Sequence, residues 1–159
     1  MSFLNKSVCI IGNLNNQNLN TQERSEIKKT LHTEIEKAIK SGYINFISGM
    51  NLGFETWGAD IVLKFKKQYP GIKLECFLAY EEIMKDWKEY QRNKFFNIIE
   101  RCDKETLLQY AYTYGCVKIC YRHMINRSSL IIAGLDKNIF SDCIYAVKYA
   151  EQRGIEVIK

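Results

Sequence analysis

Between Ile44 and Lys67 the residue pattern changes character. An apolar, β-type run (Ile44, Phe46, Ile47) breaks at Ser48-Gly49-Met50-Asn51-Leu52-Gly53 and restarts with helical spacing at Phe54. A chain that passes from strand through glycines into helix leaves N–H groups at the helix mouth, where the macrodipole favours an anion. The expectation is a phosphate or carboxylate cradle built from Ser48, Gly49, Met50 and Gly53, with its amides free to bind. Glu55 and Thr56, in the first helical turn, are placed to hydrogen-bond a ligand hydroxyl. Each has a plainer reading. Gly49 and Gly53 also suit positive φ in a tight turn. An acidic residue at Glu55 complements the helix dipole by roughly 0.3–1 kcal/mol without any ligand.

Other residues could join the site. Gly12 and Asn13 follow the first apolar strand, and Asn13 could bond a base or cap its loop. Arg122 could pair a phosphate bidentately or serve as a surface charge beside Lys118 and Arg127. Trp57 could stack on a base, although its spacing with Ile61 and Phe65 favours core packing. Cys116, Cys120 and His123 share a helix face at i, i+4 and i+7, but no CxxC accompanies them, and the packed-face reading is preferred to a metal site. The sequence holds no nucleophile-elbow serine, P-loop or zinc-hydrolase helix. No catalytic set and no cofactor are expected.

The elements that must position these residues alternate throughout. Strands are expected at Lys6–Ile11 (stopped by Gly12), Tyr43–Ile47, Lys73–Ala79, Glu105–Gln109, Ser129–Leu135 and Ile155–Ile158. Helices are expected from Thr21 to a stop at Gly42, then at Phe54–Tyr69, Glu81–Arg101, Cys116–Asn126 and Phe140–Arg153. Asn20 and Glu23 have capping-box spacing at the first helix start. Strands apolar on both faces and separated by helices read as an α/β protein, a Rossmann-like three-layer sandwich with a mostly parallel central sheet. In such sheets ligands bind beyond the carboxyl ends of the strands. Gly12, the Ser48–Gly53 loop, Tyr80-Glu81 and Asp136 should therefore meet at one rim.

No repeat, linker or composition break divides residues 1–159, which read as one domain. Apolar content of 47% and charged content of 26% are ordinary for a globular protein. The net charge of +5 comes from scattered lysines, with clusters at Lys28-Lys29 and at Lys64, Lys66 and Lys67. A solvated surface is favoured over nucleic-acid binding. No apolar run is long enough for a bilayer, and Met1–Lys6 lacks the character of a signal peptide. The expected location is cytoplasmic, and the six cysteines are expected to be reduced.

The block Ile47–Asp60 resembles the second-strand segment of the YpsA-like proteins in the SLOG superfamily, which reads roughly Ser-Gly-Gly-Ala-X-Gly-Val-Asp-X-Trp-Ala-Ala-Glu. Tyr69-Pro70-Gly71 is similar to that family's turn into strand three, and Trp87 with Tyr90 to its Trp-rich helix. Arg122, Met124, Arg127 and Ser128 resemble its Arg-Asn-X-Met-Val-Asp-X-Ser-Asp helix. Tyr145, Val147, Tyr149, Ala150, Gly154 and Val157 resemble its closing helix and strand. The likeness runs from Val8 to Ile158. It implies a Rossmann-like fold and a protein that binds a nucleotide-derived, phosphate-bearing small molecule as a sensor or regulator. It supports Glu55 at the position of the family's Asp and allows a homodimer.

Relatives in the superfamily leave two alternatives: a LOG-type nucleotide N-glycosidase (phosphoribohydrolase), or a nucleic-acid or protein interaction module without the pocket. The departures are specific. Ile11-Gly12-Asn13-Leu14 stands where the family has Thr-Gly-His-Arg, and Ser141-Asp142-Cys143 where it has Gly-Gly-Thr. Met50 replaces a glycine, and the LOG-type Pro-Gly-Gly-X-Gly-Thr is missing.

Overall fold

The computed structural model describes residues 6–159; the leader reading at Met1–Asn5 lies outside the described residues. Six strands and five helices alternate: β1 (Ser7–Gly12), α1 (Thr21–Lys40), β2 (Asn45–Ser48), α2 (Phe54–Phe65), β3 (Lys73–Leu78), α3 (Glu89–Arg101), β4 (Lys104–Leu107), α4 (Cys116–Asn126), β5 (Leu130–Gly134), α5 (Asp142–Gln152) and β6 (Glu156–Ile158). The sheet order is β4-β3-β2-β1-β5-β6, and every described pairing is parallel. Parallel neighbours demand helical crossovers, so the chain is a Rossmann-like three-layer sandwich.

The core follows from that arrangement. Val8, Cys9, Ile10 and Ile11 are fully buried, because β1 is central and covered on both faces. Alternate residues divide between two layers. Val8 and Ile10 face α1 and α2 in one apolar cluster, while Cys9 and Ile11 face α4 and α5 in the other.

Local signals set the helix ends. Asn20 and Glu23 form the expected capping box, with Glu23 N donating to Asn20 Oδ1 at 2.8 Å and Asn20 N to Glu23 Oε1 at 2.9 Å. The segment read as one helix from Glu81 to Arg101 is instead a pair of elements. Residues 81–87 form turns closed by Lys85 N to Glu82 O and Trp87 N to Met84 O, and the helix proper begins at Glu89. Gln91 Oε1 accepts from Lys88 N at 2.9 Å and caps that start. The helix expected to reach Tyr69 ends at Phe65. β4 begins at Lys104 instead of Glu105 and ends at Leu107 instead of Gln109. α5 begins after Ser141, whose Oγ accepts from Cys143 N at 3.0 Å, which leaves Phe140 outside the helix.

Sheet order reverses between β1 and β5, the usual position for a ligand crevice. Here Phe54 fills the crevice directly over β1 and β5, and a cavity of about 520 Å³ lies beside it, lined by Leu14, Phe54, Gly134 and Leu135. Gly12 and Gly134 are register partners, and the Phe54 ring lies on both. A Cβ built on Gly12 would sit 2.5 Å from a Phe54 ring carbon, and one on Gly134 2.3 Å from another. Asn13 stitches the rim: Asp136 N donates to Asn13 Oδ1 at 2.7 Å, and Asn13 Nδ2 donates to Asp136 O at 3.1 Å and Ser141 Oγ at 3.4 Å.

Candidate functional site

The loop between β2 and α2 has the strand–glycine–helix geometry that the residues foretold, but several of its amides are taken. Gly53 N donates to Thr56 Oγ1 at 3.1 Å, and Phe54 N donates to Leu14 O at 2.8 Å. Met50 N donates to Ser48 Oγ at 3.1 Å, and that hydroxyl donates to Glu55 O at 2.9 Å. Asn51 N and Gly12 N each donate to the Glu55 carboxylate at 3.2 Å. The expectation of free amides is narrowed at five positions: the protein's own oxygens occupy the N–H groups of Gly12, Met50, Asn51, Gly53 and Phe54.

Glu55 is the centre of this arrangement and is completely buried. Oε1 accepts from Asn51 N and from Asn51 Nδ2 at 2.9 Å, and Oε2 accepts from Gly12 N and from the Tyr121 hydroxyl at 2.5 Å. Cys143 Sγ lies 3.8 Å from Oε2 and 3.1 Å from the Tyr121 oxygen. Four strong donors converge on one carboxylate in the place where a ligand's phosphate was expected. Burial pushes the Glu55 carboxyl above its ordinary range, while hydrogen bonds from Tyr121, Asn51 and Gly12 hold it back. Burial and the Glu55 charge raise the Tyr121 phenol well above its usual value and push the Cys143 thiol up to about 12.

Gly49 is required by the same carboxylate, since a Cβ there would stand 2.8 Å from Glu55 Oε1. Met50, where the family resemblance places a glycine, keeps the left-handed backbone at φ 61° and buries its side chain in the α1/α2 layer.

The structure thus brings Gly12, Ser48, Gly49, Met50, Gly53, Glu55 and Thr56 together, with Asn13 on the adjoining rim. It does not bring Arg122. That side chain is exposed, and its guanidinium lies 5.5 Å from the Tyr149 ring centre on α5. Arg127 is committed elsewhere, in a bidentate pair with Glu75 at 2.9 and 2.7 Å. Tyr80 packs edge-on against Tyr112 with ring centres 5.3 Å apart. Cys116 and Cys120 are buried, whereas His123 is exposed and stacks on Phe77.

A cavity of about 480 Å³ opens on the other side of the α2 start. Gly53, Thr56 and Trp57 form one wall. Arg24 and Lys28 of α1 and Lys94 of α3 supply positive charge, while Trp87 and Tyr90 supply aromatic surface. Lys28 Nζ lies 4.9 Å from the Trp57 ring centre, a cation–π geometry. Sequence reasoning missed this wall. Arg24, Lys28 and His32 recur at helical spacing on α1 and could have marked a basic stripe, but Lys94 meets them only through helix packing.

A parallel sandwich whose second strand turns through glycine into a helix with a buried acidic first turn is a Rossmann-like scaffold. The YpsA family model, described as the YspA SLOG family, matches residues 12–155, and the chain belongs to that family. It is 27% identical over 130 residues to a UPF0398 protein of Bacillus cereus (strain G9842), covering 80% of this chain and 71% of the relative. A UPF0398 protein of Halalkalibacterium halodurans is 34% identical over 77 residues, 48% of this chain and 41% of its own. Among the described residues no helix is long and apolar enough to cross a membrane.

Proposed function

We propose that the protein binds a nucleotide-derived, phosphate-bearing small molecule as a sensor or regulatory component, in the cavity beside the α2 start. The carrying observation is the meeting of three cations (Arg24, Lys28, Lys94) with Trp57, Trp87 and Tyr90 around one 480 Å³ space. Cations suit a phosphate and aromatic faces suit a base or other flat ring. The site differs from the expected amide cradle, which Glu55 fills, yet it borders the same helix start. Membership of the SLOG family supports the nucleotide class.

The N-glycosidase alternative gains nothing from the geometry. Glu55 is sealed from solvent and held by four donors, so it is poorly placed to exchange a proton with a substrate. The reading includes a cytoplasmic location and allows a homodimer, which light scattering would determine.

A thermal-shift screen over nucleoside phosphates, dinucleotides and cyclic nucleotides tests the proposal. A binder at a hundredfold excess over its Kd adds about 2.7 kcal/mol and shifts the transition visibly. Arg24→Ala with Lys94→Ala should abolish the shift. A flat response across the whole screen would refute the reading.

A further inference from the structure

The cavity beside α2 does not end at Lys28. A second basin of about 570 Å³ continues along the groove between α1 and α2, lined by Lys29 and His32 on one side and Asp60 and Lys64 on the other. Both basins share Lys28, Trp57 and Lys94. Arg24 marks the upper end and Lys64 the lower. Trp57 and Lys64 are seven positions apart on one helix, so the second basin reaches about 10 Å beyond the shared Trp57 along the axis.

The charge count along this groove is lopsided. Five cations (Arg24, Lys28, Lys29, Lys64, Lys94) face one carboxylate, Asp60. The chain as a whole carries only +5, so most of its excess charge is concentrated here. Asp60 Oδ2 is shared, lying 3.1 Å from Lys64 Nζ and 3.9 Å from Lys94 Nζ. Asp60 pairs closely only with Lys64, so one carboxylate is set against five cations along the groove. Lys28, at the junction, is shifted below its usual range by burial first and then by the charges of Lys94 and Arg24, with Asp60 opposing them and Lys64 adding least. Asp60 offsets part of this repulsion, and a bound anion would relieve the remainder.

Resting on the nucleotide reading above, we propose that the site is bipartite and takes a dinucleotide, one phosphate lying near Arg24 and the second near Lys29 and Lys64. Between them the ligand crosses Trp57 at the groove floor, and a base stacks on Tyr90, which is 62% exposed and free to offer its face. A mononucleotide covers one basin and leaves the cations of the other facing water. The extra phosphate, not a tighter ring pocket, is what discriminates.

Calorimetric titration of the whole chain tests this with three probe sets: the four ribonucleoside 5′-monophosphates, the matching 5′-phosphorylated dinucleotides, and single strands of about ten nucleotides. The expected result is a dinucleotide that binds about tenfold more tightly than its monophosphate. Lys29→Ala with Lys64→Ala should bring that ratio towards unity, whereas Arg24→Ala should weaken both ligands. Equal affinity for mono- and dinucleotide, unaffected by the Lys29/Lys64 double variant, overturns the bipartite site while leaving nucleotide binding intact. Affinity that keeps rising with strand length, with a salt slope of more than two ions, replaces it with a nucleic-acid track. Absence of heat from all three sets refutes the nucleotide reading itself, and the bipartite site with it.

Discussion

The Tyr121 hydroxyl donates to Glu55 Oε2 at 2.5 Å, and this bond ties together helices from opposite layers of the sandwich. Glu55 starts in the first turn of α2, whose neighbours pack in the α1/α2/α3 layer. Tyr121 belongs to the α4/α5 layer. Their meeting point lies over the carboxyl ends of β1 and β2, where Gly12 N adds its own bond. A carboxylate satisfied from both layers acts as a clamp at the edge of the sheet.

Removing that clamp should be costly. Glu55→Ala leaves Gly12 N, Asn51 N, the Asn51 amide and the Tyr121 hydroxyl without their acceptor, an expected loss of at least about 3 kcal/mol. Tyr121→Phe removes one charge-assisted bond and should cost about 1.5–3 kcal/mol. Urea denaturation would measure both, and an unchanged midpoint for either would contradict the clamp.

Its pH signature has a definite sign. Burial raises the folded-state value of Glu55 above the ordinary 4.5. Between those two values the folded chain holds a proton that the unfolded chain has lost. Stability from this group therefore declines as pH climbs from about 4.5 through the raised value. Comparing wild type with Glu55→Gln across that interval should show the wild-type advantage shrinking upward; an advantage that grew would reverse the assignment.

Glu75 should behave oppositely. Burial works to raise it, but hydrogen bonds from Arg127 and Thr106 together with the Arg127 charge hold it below its usual range. Its contribution is present above the ordinary value of 4.5 and disappears as pH falls through the depressed one. Arg127→Met should flatten the acid limb of the stability profile, while retention of the full limb would show that the pair is inert.

Backbone space at the rim gives a further expectation. Gly53 has φ 103°, and a Cβ there would stand 2.3 Å from Leu14 O. Gly53→Ala should destabilise by about 2 kcal/mol or more, since both conformation and contact oppose it. Gly71→Ala serves as the control, because nothing lies within 4 Å of its Cβ position. Similar melting curves for the two variants would argue against a tight α2 entry.

Thiol reactivity should single out Cys102. A hydrogen bond from Cys76 lowers its pKa to about 7 and so favours the thiolate, although burial opposes this. Burial raises Cys9 well above its ordinary value and pushes Cys120 up to about 12. Brief iodoacetamide treatment of the native chain, followed by peptide mass mapping, should label Cys102 first. Prior labelling of Cys120 or Cys143 would show that α4 and α5 open readily.

Much of the architecture was legible because parallel strands covered on both faces are continuous apolar runs, as in Val8–Ile11 and Leu130–Ala133. The helix read from Glu81 misled for a physical reason. Ile83 and Met84 precede Trp87 by four and three positions, and successive three-residue turns bury the same side as a helix does. At the site, the first-turn position of Glu55 was readable, but the destination of its carboxylate was not. That depends on Gly12 and Tyr121, brought near only by the completed sheet. The basic wall was hidden likewise, since Arg24, Lys28 and Lys94 come from two helices of the same layer with α2 between them in sequence.

The carboxylate at the head of α2 makes the chain its own permanent guest. Because that tenant is covalently attached, the corner it props keeps its shape whatever the metabolite supply of the surroundings. Under the proposed reading, a ligand then meets only the outer flank of the helix, beside Arg24 and Lys28. Trimming the tenant away would convert a fixed post into an inducible one.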